Sequence, residues 1–190
     1  GANHNYIHCV EASRNPDRAL PSAGRLGTLC PAAGHLVHMP AHAYSRVGMY
    51  KKSAEANYAA MVADSFYIRN NFPGIYVPMY YNHNVHFFAV ASSMIGRYDD
   101  AIRAANELLG NITPLAKEVP FVEGYMPTPL IIEYRFRKWD NLLNFPKPDS
   151  TLKIFTSLWH FTRGMAYAGK SQIEQAKAEE ASFKAISSQL

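Results

Sequence analysis

The chain has 190 residues, of which 48% are hydrophobic and 18% charged, a composition typical of a globular protein and not of a disordered one. The formal net charge is +4 and the basic residues are scattered, so no nucleic-acid partner is expected. No stretch approaches the ~20 apolar residues of a membrane span, which predicts a soluble chain. The compartment, cytoplasm or periplasm, stays unknown at this stage. Cys9 and Cys30 form neither a CxxC motif nor a disulfide framework.

A tight turn recurs along the chain, with helical patterns on both sides of it. Gly48-Met49-Tyr50 and Gly96-Arg97-Tyr98 are the clearest copies, and Arg14, Arg137 and Gly169 anchor weaker ones. The anchors at positions 14, 48, 96, 137 and 169 are separated by 34, 48, 41 and 32 residues. These irregular intervals imply inserts, which we place at 70–78 and 120–129. Five turns predict five helical hairpins, at about residues 1–30, 34–70, 78–110, 124–145 and 150–190.

Apolar periodicity and helix-start residues predict two helices in each hairpin. Pro16 and Pro78 suit first helical turns, whereas Pro21 should strain or break its helix. Pro40 is compatible with a helix only in its first turn, so its helix would have to begin at Met39. His35 would then lie outside the register of that helix. In chain order the predicted helices cover 3–13, 16–29, 36–47, 51–70, 78–95, 99–109, 128–138, 139–143, 150–168 and 171–188.

The recurrent pattern of a small residue, any residue, an aromatic and then an acidic residue before alanine, at a period near ~34, resembles the tetratricopeptide repeat (TPR). The stretches GANHNYIHCVEAS (1–13) and GHLVHMPAH (34–42) resemble the signature of an uncharacterised bacterial family of multi-repeat TPR-like proteins, over about residues 1–110. The resemblance implies an all-α fold, an α-solenoid of about five TPR-like hairpins forming one domain over 1–190. It also implies that the first helices line a concave groove. Whether the natural chain extends upstream of Gly1 stays open.

Histidines recur at matching positions when the first three hairpins are aligned on their turns. His35, His38 and His42 lie at offsets of three and four, which places them within an arc of roughly 60° on a helix. Packed helices lie ~8–10 Å apart, so side chains of neighbouring first helices can point at one centre. The three aligned columns hold seven of the eight histidines of the chain, namely His4, His8, His35, His38, His42, His83 and His86.

This pattern points to a transition-metal site. Imidazole is the commonest protein ligand for zinc, copper, nickel and iron, and a histidine pair at i and i+4 can chelate one ion. Glu11 is either a further ligand or a general base for a metal-bound water. His35 and His83 are expected to support the ligands or to form a second site. The predicted ligands are His4, His8, His38, His42, His86 and Glu11.

Other interpretations stay open. The groove could bind a protein, a peptide or a small anionic ligand, with the histidines as donors beside Tyr6, Tyr44, Asn82, Asn84 and Arg46. Alternatively, the imidazoles form a buried polar ladder without a ligand. No HExxH motif occurs, so the metal site is inferred from helix geometry alone. No substrate-specific residue can be named, so a binding protein is favoured over a metal-dependent enzyme that uses Glu11 as its base. Exposed ends of the solenoid could also associate into homo-oligomers.

Overall fold

The computed structural model describes residues 1–71 and 74–190, and it confirms the all-α prediction, since no strand occurs in these two ranges. No helix in the described ranges is long and apolar enough to cross a lipid bilayer. The α-helices are α1 (Ala2–Glu11), α2 (Leu20–Leu29), α3 (Gly34–His38), α4 (Pro40–Arg46), α5 (Tyr50–Asn70), α6 (Asn82–Met94), α7 (Tyr98–Ile112), α8 (Thr128–Arg135), α9 (Trp139–Asn144), α10 (Lys153–Gly169) and α11 (Ile173–Ser187).

The chain forms two compact units, Gly1–Ala104 and Ala105–Leu190. In the first unit, α5 packs against α3, α4 and α6, while α2 packs against α1, α3 and α4. In the second unit, α10 packs against α8, α9 and α11. Helices that are close along the chain are therefore the ones in contact. The organisation of residues 1–190 as a single domain stays a prediction.

Proline positions correct the predicted first helices. The helix predicted over 36–47 is two helices, α3 and α4, and Met39 between them has φ −49 and ψ −38. Pro40 therefore occupies the first turn of α4, where a missing N–H costs nothing. The helix predicted over 78–95 is a π-helical turn, Val77–Tyr81, followed by α6. The helix predicted over 16–29 is broken next to Pro21, because a 3₁₀ turn, Pro16–Ala19, precedes α2 and Pro21 lies in the first turn of α2.

The two predicted inserts are only partly comparable with the structure. The insert at 70–78 includes residues 72 and 73, which lie outside the described residues. The insert at 120–129 contains a 3₁₀ turn, Pro120–Tyr125, immediately before α8. Helical turns therefore occupy much of this second insert, which periodicity alone did not indicate.

Four helix-ending turns share one backbone geometry. At Gly48, Gly96, Arg137 and Ser171 φ is positive, with values from 54° to 78°. The residue after each one donates its N–H to the carbonyl oxygen five positions earlier, at 2.8–2.9 Å. This hydrogen bond and the left-handed residue before it are the usual means of ending a helix.

Two of the five predicted turn positions differ from those in the structure. The last turn is centred on Ser171 and not on Gly169, which makes the interval from Arg137 equal to 34 residues (171 minus 137). Gly169 is instead a packing position, because a Cβ there would lie 2.7 Å from the Trp139 ring. At Arg14 φ is not positive, so the first predicted turn does not share the geometry of the other four.

The core of the first unit lies directly beneath the histidines. On α1, Ile7 and Val10 are buried in this core, and His4, His8 and Glu11 occupy an adjoining face of the same helix. On α4, Ala43 is buried in the same core and His42 is its neighbour in the chain. Apolar burial on one face of each helix therefore fixes the direction of the imidazoles. This part of the core comprises Ile7, Val10, Ala19, Ala23, Leu26, Met39 and Ala43.

Candidate metal centre

Six histidines and one carboxylate, carried by α1, α3, α4 and α6, form a continuous cluster. Neighbouring rings lie with their centroids 4.7–6.0 Å apart. Within the cluster, three groups of three side chains have ligand atoms within 4.8 Å of one another. We call them the inner group (His38, His42 and His83), the outer group (His4, His8 and His35) and the linking group (His8, Glu11 and His42).

The inner group is largely buried. His38 is 0% exposed and His42 is 9% exposed. Their Nε2 atoms lie 2.9 Å apart. The His83 ring centroid is 4.7 Å from that of His38 and 5.7 Å from that of His42. Three imidazoles from three helices thus converge on one small volume.

Hydrogen bonds on the far sides of the inner rings fix the positions of their protons. Asn57 Nδ2 donates to the Ser53 carbonyl oxygen at 2.8 Å, so Asn57 Oδ1 is the atom that faces His38 Nδ1, at 2.6 Å. An amide oxygen only accepts, and the proton of His38 is therefore on Nδ1. His42 Nδ1 donates in the same way to Glu11 Oε2, at 2.7 Å. A neutral imidazole has one N–H, so both Nε2 atoms carry lone pairs.

Two lone pairs therefore face each other across 2.9 Å in a buried place. Two acceptors form no hydrogen bond, but a cation between them would be bound by both. A carboxylate behind one imidazole and an amide oxygen behind the other are the partners that orient metal-ligating histidines. For a metal–nitrogen distance of ~2.0–2.1 Å, this separation corresponds to an angle of about 90° at the metal. Such angles are typical of octahedral and tetragonal sites.

Burial keeps the inner imidazoles neutral. Desolvation holds the pKa of His38 well below its ordinary value, and the neighbouring imidazoles act in the same direction. Burial, with His42 and His86 nearby, lowers the pKa of His83 to about 4. Burial also lowers the pKa of His42, although the Glu11 carboxylate opposes the shift. Protonation of one ring would relieve the contact between lone pairs, but these shifts disfavour it at neutral pH.

Glu11 connects the inner and outer groups. Its Oε1 accepts from His8 Nδ1 at 2.9 Å and its Oε2 accepts from His42 Nδ1 at 2.7 Å. Burial raises the pKa of Glu11, but the hydrogen bonds from His8 and His42 outweigh it and the net pKa is lowered. A carboxylate with both oxygens engaged and a lowered pKa fits an orienting role better than that of a general base.

His86 lies beside the cluster and belongs to none of its three groups. It lines a cavity of about 340 Å³, and burial lowers its pKa to about 4. The hairpin alignment made His86 a ligand and His83 a supporting residue, whereas the structure brings His83 into the inner group. The reason is that α6 turns the face of His83 and Phe87 toward α3 and α4, where the Phe87 ring centroid lies 5.0 Å from that of His38 and 4.9 Å from that of His42. The other residues lining the cavity are Glu11, His42, Ser45, Arg46, Tyr50, Phe87 and Val90.

The residues predicted to surround the ligands are dispersed. Arg46 lines the cavity beside His42. Tyr44 packs against the apolar core and has the Lys52 ammonium 5.6 Å from its ring centroid. Tyr6 is 39% exposed, and Asn82 is buried at the start of α6. Of these four, Arg46 is the one that the structure places next to a ligand candidate and a cavity together.

Sequence reasoning missed Asn57, which orients His38. Asn57 lies on α5, a second helix of its hairpin, whereas the search for ligands followed the first helices. A signal existed, because Ala54, Asn57, Ala60 and Met61 are buried at helical spacing. A polar residue within a buried stripe requires a hydrogen-bond partner.

Asp64 was also missed, and it positions α3. Its carboxylate accepts from Tyr76 Oη at 2.6 Å and from Asn84 Nδ2 at 2.7 Å. A Cβ on Gly34 would lie 1.8 Å from Asp64 Oδ1, so glycine is required for this approach. Burial raises the pKa of Asp64 although both hydrogen bonds lower it. Because Gly34 begins α3, this contact sets the position of the helix that carries His35 and His38.

No family model, curated protein or solved structure matches the chain. Its function is therefore inferred from the geometry of the cluster.

Proposed function

We propose that the protein is a TPR-like repeat protein that binds a transition-metal ion through His38, His42 and His83. The observation that carries this proposal is the pair of unprotonated Nε2 atoms facing each other at 2.9 Å. In the absence of a cation, two buried lone pairs at this distance repel each other. Coordination of one ion would turn the same contact into two bonds, and Asn57 and Glu11 already hold both rings in the required tautomer.

The repeat assignment is supported by backbone geometry and by packing. Four turns at Gly48, Gly96, Arg137 and Ser171 end helices with the same left-handed residue and the same hydrogen bond. Helices that are neighbours along the chain pack together in both units. An α-solenoid of TPR-like hairpins accounts for both observations.

The geometry favours some ions over others. Three imidazole nitrogens suit copper, nickel, iron and zinc alike. The angle of about 90° at the metal suits octahedral or tetragonal coordination, whereas zinc is bound tetrahedrally in most proteins. We therefore infer copper, nickel or iron ahead of zinc. The cavity beside His42 has room for water or a small molecule as an additional ligand.

The test is a comparison of bound metal in purified variants. Metal-free protein is dialysed against each of the four ions, freed of excess by gel filtration and analysed for metal. Wild type should retain the ion, whereas His38→Gln plus His42→Gln should lose the ion held between these two rings and so retain less metal per chain. His160→Gln is the matched control, because His160 pairs with Glu179 in the second unit and its replacement should leave binding unchanged.

A second pair of variants tests the geometry against the alignment of the repeats. His83 and His86 lie one helical turn apart on α6, but only His83 belongs to the inner group. His83→Gln should weaken binding strongly and His86→Gln should not. If wild type and His160→Gln retain none of the four ions, the metal proposal fails. The protein-binding or peptide-binding scaffold then takes its place.

One observation favours metal-dependent catalysis as a second candidate function. The cavity of about 340 Å³ has His42 and Glu11 on its wall, so a small molecule could reach a metal held by the inner group. Its apolar lining by Phe87 and Val90 and the charge of Arg46 suit a small organic anion. The test compares the affinity of the metal-loaded and the metal-free protein for small organic anions. Equal affinity in the two forms would rule this candidate out.

A further inference from the structure

We propose that a second transition-metal ion binds the outer group, His4, His8 and His35. This inference rests on the proposed function of the inner group, because the two groups are neighbours in one cluster. The outer group shares no residue with the inner group. Two ions could therefore be bound without competition for ligands.

The outer rings are close enough to share an ion. His4 Nε2 lies 3.1 Å from His35 Nε2. The His4 ring centroid is 4.9 Å from that of His8 and 5.2 Å from that of His35. One ligand atom from each side chain lies within 4.8 Å of the other two. For metal–nitrogen bonds of ~2.0–2.1 Å, the 3.1 Å separation gives an angle of about 100° at the metal.

Hydrogen bonds again direct lone pairs toward the shared space. His8 Nδ1 donates to Glu11 Oε1 at 2.9 Å, and His4 Nδ1 donates to Asn5 Oδ1 at 3.0 Å. In the neutral form of each ring, a proton on Nδ1 leaves the lone pair on Nε2. His35 Nδ1 is buried and has no hydrogen-bond partner among the described residues. An ion in the shared space would bind His35 Nε2, which faces His4 Nε2, and Nδ1 would then carry the proton of that ring.

Exposure distinguishes the two groups. The His8 side chain is 41% exposed, whereas His38 and His42 are buried. An ion in the outer group would keep coordination positions open to water and exchange readily, and an ion in the inner group would be enclosed by protein. Two nearby cations also repel each other, and Glu11, which contacts one ligand of each group, is the carboxylate between them. We therefore expect the outer ion to bind at least about ten-fold more weakly than the ion of the inner group.

The test counts ions and measures their release. Metal-free wild type, His4→Gln plus His35→Gln, and His160→Gln are loaded with Cu²⁺ or Ni²⁺, freed of excess and then mixed with a strong chelator. Wild type and His160→Gln should carry two ions per chain and release one rapidly and one slowly. The double variant should carry one ion and show only the slow release. His8→Gln alters an exposed side chain and should accelerate or abolish only the rapid phase, without loss of helical content.

The outcomes separate the two proposals. One ion per chain in wild type and in the double variant would overturn the outer site and leave the inner site intact. Loss of both ions in the folded double variant would also overturn it, because the histidines would then form one shared site. No retained ion in wild type would overturn the proposed function itself. With Cu²⁺, magnetic coupling between two ions in the electron paramagnetic resonance spectrum of wild type should disappear in the double variant.

Discussion

Replacing Asn57 with leucine would remove the acceptor that holds the His38 proton on Nδ1, with little change in side-chain size. Asn57 is 0% exposed and its Oδ1 lies 2.6 Å from His38 Nδ1. Without this acceptor the proton can move to Nε2, where it is donated to His42 Nε2 at 2.9 Å. The two facing lone pairs then become an ordinary hydrogen bond between the rings. His38 and His42 would then have no free lone pair between their rings with which to bind a cation.

The expected cost falls on metal affinity more than on folding. Loss of a partner that orients a metal-ligating histidine lowers affinity roughly 10–100-fold, which is about 1.4–2.7 kcal/mol. In the metal-free protein, the hydrogen bond lost at Asn57 is offset by the one gained between His38 and His42. We therefore expect the free energy of unfolding of the metal-free variant to change by about 1 kcal/mol or less.

Two measurements test the effect of Asn57→Leu. Competition with a chromophoric chelator gives the metal dissociation constant, and nitrogen-15 chemical shifts of the imidazoles show which nitrogen carries the proton. Asn70→Leu is the matched control, since Asn70 lies on the same helix α5, is exposed and caps only a backbone carbonyl. An unchanged dissociation constant for Asn57→Leu, with the His38 proton on the same nitrogen as in wild type, would refute the reasoning.

Three further predictions concern stability. The folded pKa of His86 is about 4 against an ordinary value of 6.5, so the unfolded chain takes up a proton first as the pH falls, and stability declines from about pH 6.5 toward pH 4. The free energy of unfolding of metal-free protein, measured with urea, should fall between pH 7 and pH 5 by about 2 kcal/mol less in His86→Gln than in wild type. An equal fall in the two proteins would contradict this prediction. Gly34→Ala should cost roughly 1–3 kcal/mol because its methyl group meets Asp64, and an unchanged urea midpoint would count against that contact. Ser171→Gly and Arg137→Gly should each stabilise the protein by about 1 kcal/mol, since both residues adopt the left-handed backbone conformation that glycine tolerates best. A lower melting temperature for either variant would contradict this prediction.

Much of the helical framework was predictable because it depends on local signals. The second helices, such as α5 and α7, begin directly after the turns at Gly48 and Gly96, and an amphipathic pattern sets their length. The first helices were less predictable, since periodicity does not show that Pro40 divides one helix into α3 and α4. The turn at Ser171 was misplaced because a residue with a side chain occupies the left-handed position that glycine usually fills.

The candidate site was predictable only in part. Spacing within a helix shows that His38 and His42 share a face, and the structure brings them together. Spacing does not show which face of α6 meets them, and this is decided by the packing of Phe87 and His83 against both rings. The orienting role of Asn57 depends on a contact between residues 19 positions apart on different helices. The local pattern indicates only that Asn57 needs a hydrogen-bond partner, and tertiary packing decides that the partner is His38.

The most direct measurement is an anomalous-difference map from crystals of the protein loaded with Cu²⁺ or Ni²⁺, recorded at the absorption edge of the metal. The account predicts a peak at bonding distance, ~2.0–2.3 Å, from the Nε2 atoms of both His38 and His42 and from one nitrogen of His83. A map with no peak between these rings, or with its strongest peak at His86 or at the surface, would contradict it.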